Sequence, residues 1–292
     1  MSNQTQARFI TSLTRRRKPR ILYHYTSASG FVGILTSRAI WATNIRFLND
    51  SSEYDFALDL ARSVVQDRLE RAHGKFDIAL NSVFQERLLK DPTAEVYVSS
   101  FTENGDQLSQ WRAYSAPAGG FAVGFTSRLL ARSTDSNRHW FLAPCVYDSQ
   151  NQWEIIRSVF QIAAESAEEN RRAGIDHDRV FRESFKLIGR LIPLVAPVLK
   201  DPSFAEEQEW RLIHLPESFE YAAPLFRQGR SMLIPYHEHA LAEQAVRLPI
   251  EEVIVGPTPH VVLAQNAAQM MLETHGLIST KVESSLIPYR TW

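Results

Sequence analysis

Apolar positions along the chain alternate between a period of two and a period near 3.6, and these changes mark out the elements. Ile21–Thr26 (ILYHYT) is β-branched and aromatic and predicts a strand. Ser27–Ser37 follows with Phe31, Ile34 and Leu35 at helical spacing, and Ser27 or Ser29 is the expected N-cap. Ala39–Ala42 predicts a second short strand and Asn44–Asp50 a polar loop. Tyr54, Leu58, Ala61, Val65 and Leu69 then form one helical stripe, preceded by Asp50 and Glu53 at capping-box spacing. A further amphipathic helix is expected over about 75–90, through Phe76, Leu80, Phe84 and Leu88, and Asp91-Pro92 ends it.

A β-rich block comes next. Glu95–Thr102 predicts a strand, Glu103–Asp106 a turn, and Gln107–Tyr114 one or two helical turns. Gly119–Thr126 and Trp140–Tyr147 predict strands. The pattern from 150 to about 200 is helical, broken near Gly174 and irregular at Pro193 and Pro197. Strands are expected at Glu209–Leu215, Met232–Tyr236 and Glu252–Val255, a helix at Pro259–Gly276, and a last strand at Lys281–Ile287. Helices fall between groups of strands without a βαβ rhythm, so the class is α+β. No repeat or composition break divides 21–292, which predicts one domain with helical insertions near 51–90 and 150–200.

Composition narrows the chemistry. The chain has 292 residues and one cysteine, Cys145, so it can form no intramolecular disulfide and no cysteine-based metal cluster. That favours a reducing, cytoplasmic setting. Its apolar runs are too short for a membrane-spanning helix, and the net charge of −1 argues against a whole-surface nucleic-acid binder. Arginine supplies 26 of the 32 basic residues, a bias that suits carboxylate and phosphate recognition and that a GC-rich genome would also produce. Residues 1–20 hold no acid and end in Arg15-Arg16-Arg17-Lys18-Pro19-Arg20. They lack the apolar stretch of a secretory signal, so a solvated, disordered tail is expected. An organelle transit peptide and a contact to nucleic acid or another phosphate-rich partner through Arg15–Arg20 stay open.

No G-x-G-x-x-G, P-loop, G-x-S-x-G or H-E-x-x-H string is present. Polar clusters inside apolar strands therefore carry the search. In Tyr23-His24-Tyr25-Thr26, alternation puts His24 and Thr26 on one face, and a histidine before a helix start suits a phosphate or ribose hydroxyl. A core histidine bonded to a carbonyl would look the same. Ser99-Ser100 supply hydroxyls and leave room for a ligand ring, or mark a tight strand–helix contact. Trp111-Arg112 offer an indole face and a guanidinium, against the reading of Trp111 as a core anchor. Glu207 and Glu209 point the same way if that stretch is extended, and Arg211 continues their face. Paired carboxylates suit acid–base work, and a charged rim paired to Arg211 is the plainer reading. His237-Glu238-His239 places two imidazoles on one face if it is a strand, but no partner cluster is visible, so a solvated loop is expected and no metal.

Four segments, LYHYTSASGFVGIL (22–35), IWATNIRFLNDSSE (40–53), VYVSSFTENGDQLSQWRAY (96–114) with GGFAVGF (119–125), and FAEEQEWRLI (204–213), resemble in order and spacing the bacterial family known as domain of unknown function 2971. More distantly, the order of elements is similar to the ADP-ribosyltransferase fold. That resemblance implies a mostly antiparallel β core, with His24 at the first motif, Ser99-Ser100 at the second and Glu207-Gln208-Glu209 at the third. It implies that His24, Thr26, Ser99 and Ser100 hold NAD, that Trp111 and Arg112 line the pocket, and that Glu209, assisted by Glu207, stabilises a ribosyl cation. The ADP-ribose would pass to a macromolecular acceptor or to water, in bacterial stress or phage defence. The middle motif is Ser-Ser-Phe where that fold has Ser-Thr-Ser. The rival expectation is a non-catalytic module that binds a nucleotide or a partner.

Overall fold

The computed structural model describes residue 9 and residues 16–48, 52–89, 95–114, 119–135, 139–216, 223–229, 231–243 and 246–289. Ten strands occur among them: β1 (Ile21–Thr26), β2 (Ala39–Asn44), β3 (Tyr97–Thr102), β4 (Phe121–Thr126), β5 (Trp140–Pro144), β6 (Glu209–His214), β7 (Leu225–Gln228), β8 (Leu233–Ala240), β9 (Ile250–Val255) and β10 (Lys281–Ser284). The α-helices are α1 (Ala28–Ser37), α2 (Ser52–Glu70), α3 (Lys75–Leu89), α4 (Leu108–Tyr114), α5 (Ser127–Asp135), α6 (Ser149–Arg172), α7 (His177–Val195) and α8 (Val261–Thr274). The fold is mixed α and β with a mostly antiparallel, open sheet.

The residues fall into two compact units, one from 44–96 and 145–204, the other from 15–43, 97–144 and 205–292. The first is helical. Helices α2, α3, α6 and α7 pack on one another through rings such as Phe84 and Phe160, whose centroids lie 5.4 Å apart. Gly174 turns the chain between α6 and α7 at φ +76°, and buried Gln152 Nε2 donates to the carbonyls of Val146 and Lys200, each at 2.7 Å. The two helical stretches of the sequence thus meet in one unit.

The second unit holds the sheet, in the order β10-β9-β4-β1-β3-β2-β8-β7, with β6 on β3 and β5 on β6. Only the β9–β10 pair among the registered strands is parallel. One face carries the larger core, where Leu22, Phe101, Val123, Phe125, Trp210 and Leu212 meet Phe31 and Leu35 of α1, Leu130 of α5 and Leu272 of α8. Tyr25, Trp111, Ala122 and Ile254 form a smaller cluster. Helix α1 starts as its sequence predicts: Ser27 Oγ accepts from the Gly30 amide at 3.2 Å. Gly30 is needed there, because a Cβ would stand 1.9 Å from Thr26 Oγ1.

Several expectations are corrected. His237-Glu238-His239 is strand, inside β8, and its two imidazoles are buried rather than solvated. Helix α5 and strand β7 lie where the sequence reading assigned nothing. The 140–147 strand ends at Pro144, and the last strand ends at Ser284. The Asp50–Glu53 capping box and residues 1–8 and 10–15 of the basic tail lie outside the described residues. The end of that segment is held: Arg16 pairs with Glu103 at 3.0 Å, and the Ser127 amide donates to the Arg20 carbonyl at 3.0 Å.

Candidate functional site

The site is built on three adjacent strands. Registers Tyr23↔Thr102 and Thr102↔Glu209 place these residues in one row across β1, β3 and β6. Ser100↔Arg211 is a second row on the same face, because directly opposed residues share a face and alternate residues return to it. Glu209 and Arg211 are therefore neighbours. Arg211 Nε and Nη2 donate to the two Glu209 oxygens at 2.8 and 3.0 Å, with both side chains buried. The planar fork matches the carboxylate and offsets the cost of burying either charge alone.

Glu207 is placed differently. It ends a 3-10 turn (Pro202–Glu207), and Gln208 adopts φ +44° before β6 begins. The Glu207–Glu209 stretch is thus not extended, which corrects the expectation that alternation alone aims both carboxylates. Thr102 Oγ1 donates to the Glu207 carbonyl at 2.6 Å and ties the turn to β3.

His24 lies one residue past the β1–β3 pair. Its Nδ1 is 2.9 Å from the Ser100 carbonyl oxygen. A carbonyl only accepts, so Nδ1 carries the proton and Nε2 presents a lone pair. Burial holds the His24 pKa below the usual histidine value, with the Ser100 carbonyl opposing it, which favours the neutral ring. The ring also packs against Phe101 at 5.6 Å.

Two cavities share His24. A small one of about 40 Å³ is lined by His24, Ser100, Glu207 and Glu209, with Gln110 and Tyr114 of α4. A larger one of about 330 Å³ is lined by His24, Thr26, Ser27 and Ser29 on one side and by Trp41, Thr43 and Arg227 on another. That size is within the range of small-molecule sites. His24 and Glu209 belong to adjacent rows, so their side chains leave the sheet on opposite faces. Both nevertheless line the small cavity.

The other expected residues are placed as follows. Thr26 lines the larger cavity with His24. Ser99 pairs with Leu212, faces the larger core, and keeps a buried hydroxyl with no hydrogen-bond partner. Trp111 is buried: its indole meets Tyr25 edge-on at 4.6 Å, and its Nε1 donates to Asp106 at 2.7 Å. Arg112 is exposed over the Tyr289 ring at 5.2 Å. Helix α4 turns Trp111 toward the sheet and Arg112 away, so neither lines the two cavities. Sequence reasoning passed over Trp41, Thr43 and Arg227. Alternation in β2 would have paired Trp41 with Thr43, whereas nothing local to β7 announces Arg227.

A second polar group sits elsewhere in the same unit. His214 of β6 meets His237 of β8 at a ring distance of 4.7 Å, and Trp140 packs on His214 and His239 at 4.4 and 4.6 Å. Ser133 Oγ lies 2.7 Å from His239 Nε2. Among the described residues no group of three or more His, Cys, Asp or Glu side chains is arranged to hold a metal ion. Nor is any described helix long and apolar enough to cross a membrane.

Comparison with known protein families finds a match over part of the chain. The family model described as protein of unknown function (DUF2971) covers residues 110–212. Over this segment, about a third of the chain, the protein is similar to that family. The match includes Glu207, Glu209 and Arg211 and begins after His24 and Ser100, so the matched segment contains one wall of the small cavity. No curated protein and no solved structure matches the chain.

Proposed function

We propose that the protein binds NAD or a closely related nucleotide across the two cavities and breaks the nicotinamide–ribose bond, in the manner of an ADP-ribosyltransferase or NAD glycohydrolase. One observation carries this reading: His24, Ser100, Glu207 and Glu209, from three separate segments, line one cavity that adjoins a larger one at His24.

The chemistry suits these groups. The C–N bond breaks with its electron pair going to the nicotinamide ring nitrogen, which becomes neutral. Positive charge develops on the ribose, and a fixed carboxylate lowers the energy of that state. Water or an acceptor hydroxyl then bonds to the ribose carbon, and its proton goes to a carboxylate. Glu207, partly open at the cavity, fits the proton-accepting role. Glu209, fixed by Arg211, fits the role of a stationary charge. Neutral His24, through Nε2, accepts from a ribose hydroxyl.

Two observations favour a second reading, a nucleotide-binding module without catalysis. The Arg211 fork neutralises Glu209, and adjacent rows send His24 and Glu209 to opposite faces. Nicotinamide release from NAD by the purified protein, with and without cell extract as a source of acceptor, separates the two. Release that falls 10²–10⁴-fold in Glu207→Gln supports the enzyme, on the usual scale for an acid–base group. Binding of NAD without release under either condition supports the module.

A further inference from the structure

The larger cavity has walls of contrasting chemistry. On the β2–β8–β7 side, residues that alternate to one face stand together: Trp41 and Thr43 on β2, Tyr236 and Glu238 opposite them on β8, and Arg227 on β7. Trp41 stacks on Tyr236 at 4.3 Å and 29°, and its Nε1 donates to Glu238 at 3.0 Å. The indole is thus held in one orientation at the cavity wall while 40% of its surface stays exposed. Arg227 is half-buried, and among the described residues its partner is a hydroxyl, Thr43 Oγ1, at 3.3 Å. A guanidinium taken partly out of water with a hydroxyl as its partner among the described residues regains little of its hydration from them. The opposite wall is small and hydroxylic, with Ser27, Ser29, Gly30 and Gly33.

We propose that this cavity takes the adenosine diphosphate part of a dinucleotide, with the phosphates on Arg227 and the adenine ring against Trp41. The inference rests on the nucleotide reading above but not on its chemical step. Arginine offers a planar set of donors that matches phosphate oxygens, and a fixed indole offers a face on which any base stacks. The shared His24 then places the second ribose at the edge of the larger cavity, on the side where the small cavity opens toward Glu207 and Glu209. Arg227 and Trp41 are binding and positioning residues here, and they set which end of the ligand enters which cavity.

Calorimetry with ADP and with adenosine as probes tests this on the full chain. Wild-type protein is expected to bind ADP at least 10-fold more tightly than adenosine. Arg227→Ala is expected to weaken ADP about 10–100-fold and to leave adenosine within about 2-fold, the scale of losing a charged hydrogen-bond donor. Arg227→Lys should recover part of the ADP loss, and Trp41→Ala should weaken both probes. Thermal melts check that each variant is folded. The inference is overturned if wild-type protein binds no ADP, binds it no better than adenosine, or binds it equally well as Arg227→Ala. If the ADP pattern holds and NAD is not cleaved, the proposed reaction fails and this site stands.

Discussion

Arg211 grips Glu209 from two residues further along the same strand, meeting both carboxylate oxygens with neighbouring nitrogens. A buried pair of this kind tolerates the loss of both charges better than the loss of one. Glu209→Gln is therefore expected to destabilise the protein by about 3 kcal/mol, because a neutral amide removes the carboxylate charge that meets the buried Arg211 guanidinium. The double variant Glu209→Leu/Arg211→Met should recover most of that loss. Urea unfolding of the three proteins checks it, and a Glu209→Gln as stable as wild type would contradict the pairing.

Glu207 is the cleaner probe of the chemistry, since it lies in a turn and is partly open. Glu207→Gln is expected to keep its melting temperature within about 2 °C, a change of about 1 kcal/mol or less. His24→Ala should instead raise KM for NAD more than it lowers kcat, because it removes a binding contact. A His24→Ala enzyme with unchanged KM and a greatly reduced kcat would reassign His24 to the chemical step.

The buried imidazoles predict a pH dependence of folding. Burial lowers the His214 pKa to about 3, with His237 adding to the effect, and burial lowers His239 to about 4. The unfolded chain takes up protons on these groups below about pH 6.5 while the folded chain does not. Stability should thus be full above pH 6.5 and fall as pH drops toward 4 and then 3, by on the order of 3 kcal/mol for His239 alone. Denaturant melts between pH 7.5 and 4 measure the slope. His239→Leu should flatten it, and an unchanged slope would place the titrating groups elsewhere.

The two serines of β3 should separate. Ser99 Oγ is buried with no partner, so Ser99→Ala is expected to cost less than about 0.5 kcal/mol or to stabilise slightly, and to leave NAD binding unchanged. Ser100 meets His24 through its backbone carbonyl, which Ser100→Ala retains, so His24 should keep its orientation. Nucleotide binding lost in Ser99→Ala and kept in Ser100→Ala would reverse this assignment.

Trp111 is expected to behave as a core residue. Trp111→Ala should cost about 3–5 kcal/mol, and Gly256→Ala should also destabilise, because a Cβ there would stand 2.8 Å from the indole. Arg112→Ala should stay within about 1 kcal/mol of wild type, since its ring contact is exposed. Thermal melts rank the three.

Much of the scaffold was legible because it obeys local rules. The Ser27 cap, the stripe of Tyr54 to Leu69 and the break at Gly174 are decided by side-chain spacing, capping hydroxyls and glycine's freedom at positive φ, all of which act within a few residues. The same holds for the pairing of Glu209 with Arg211, because strand alternation alone makes them neighbours. Other features depend on registers between distant segments. His24 meets the Ser100 carbonyl, His214 meets His237, and Arg227 shares a cavity with Trp41 only because strands far apart in the chain lie side by side. Trp111 and Arg112 show the limit most clearly: adjacent in sequence and equally suited to a pocket, they diverge because a short helix presents one to the sheet and the other to water. Local chemistry names the groups a protein owns, and the strand register and helix orientation decide which of them face the same space.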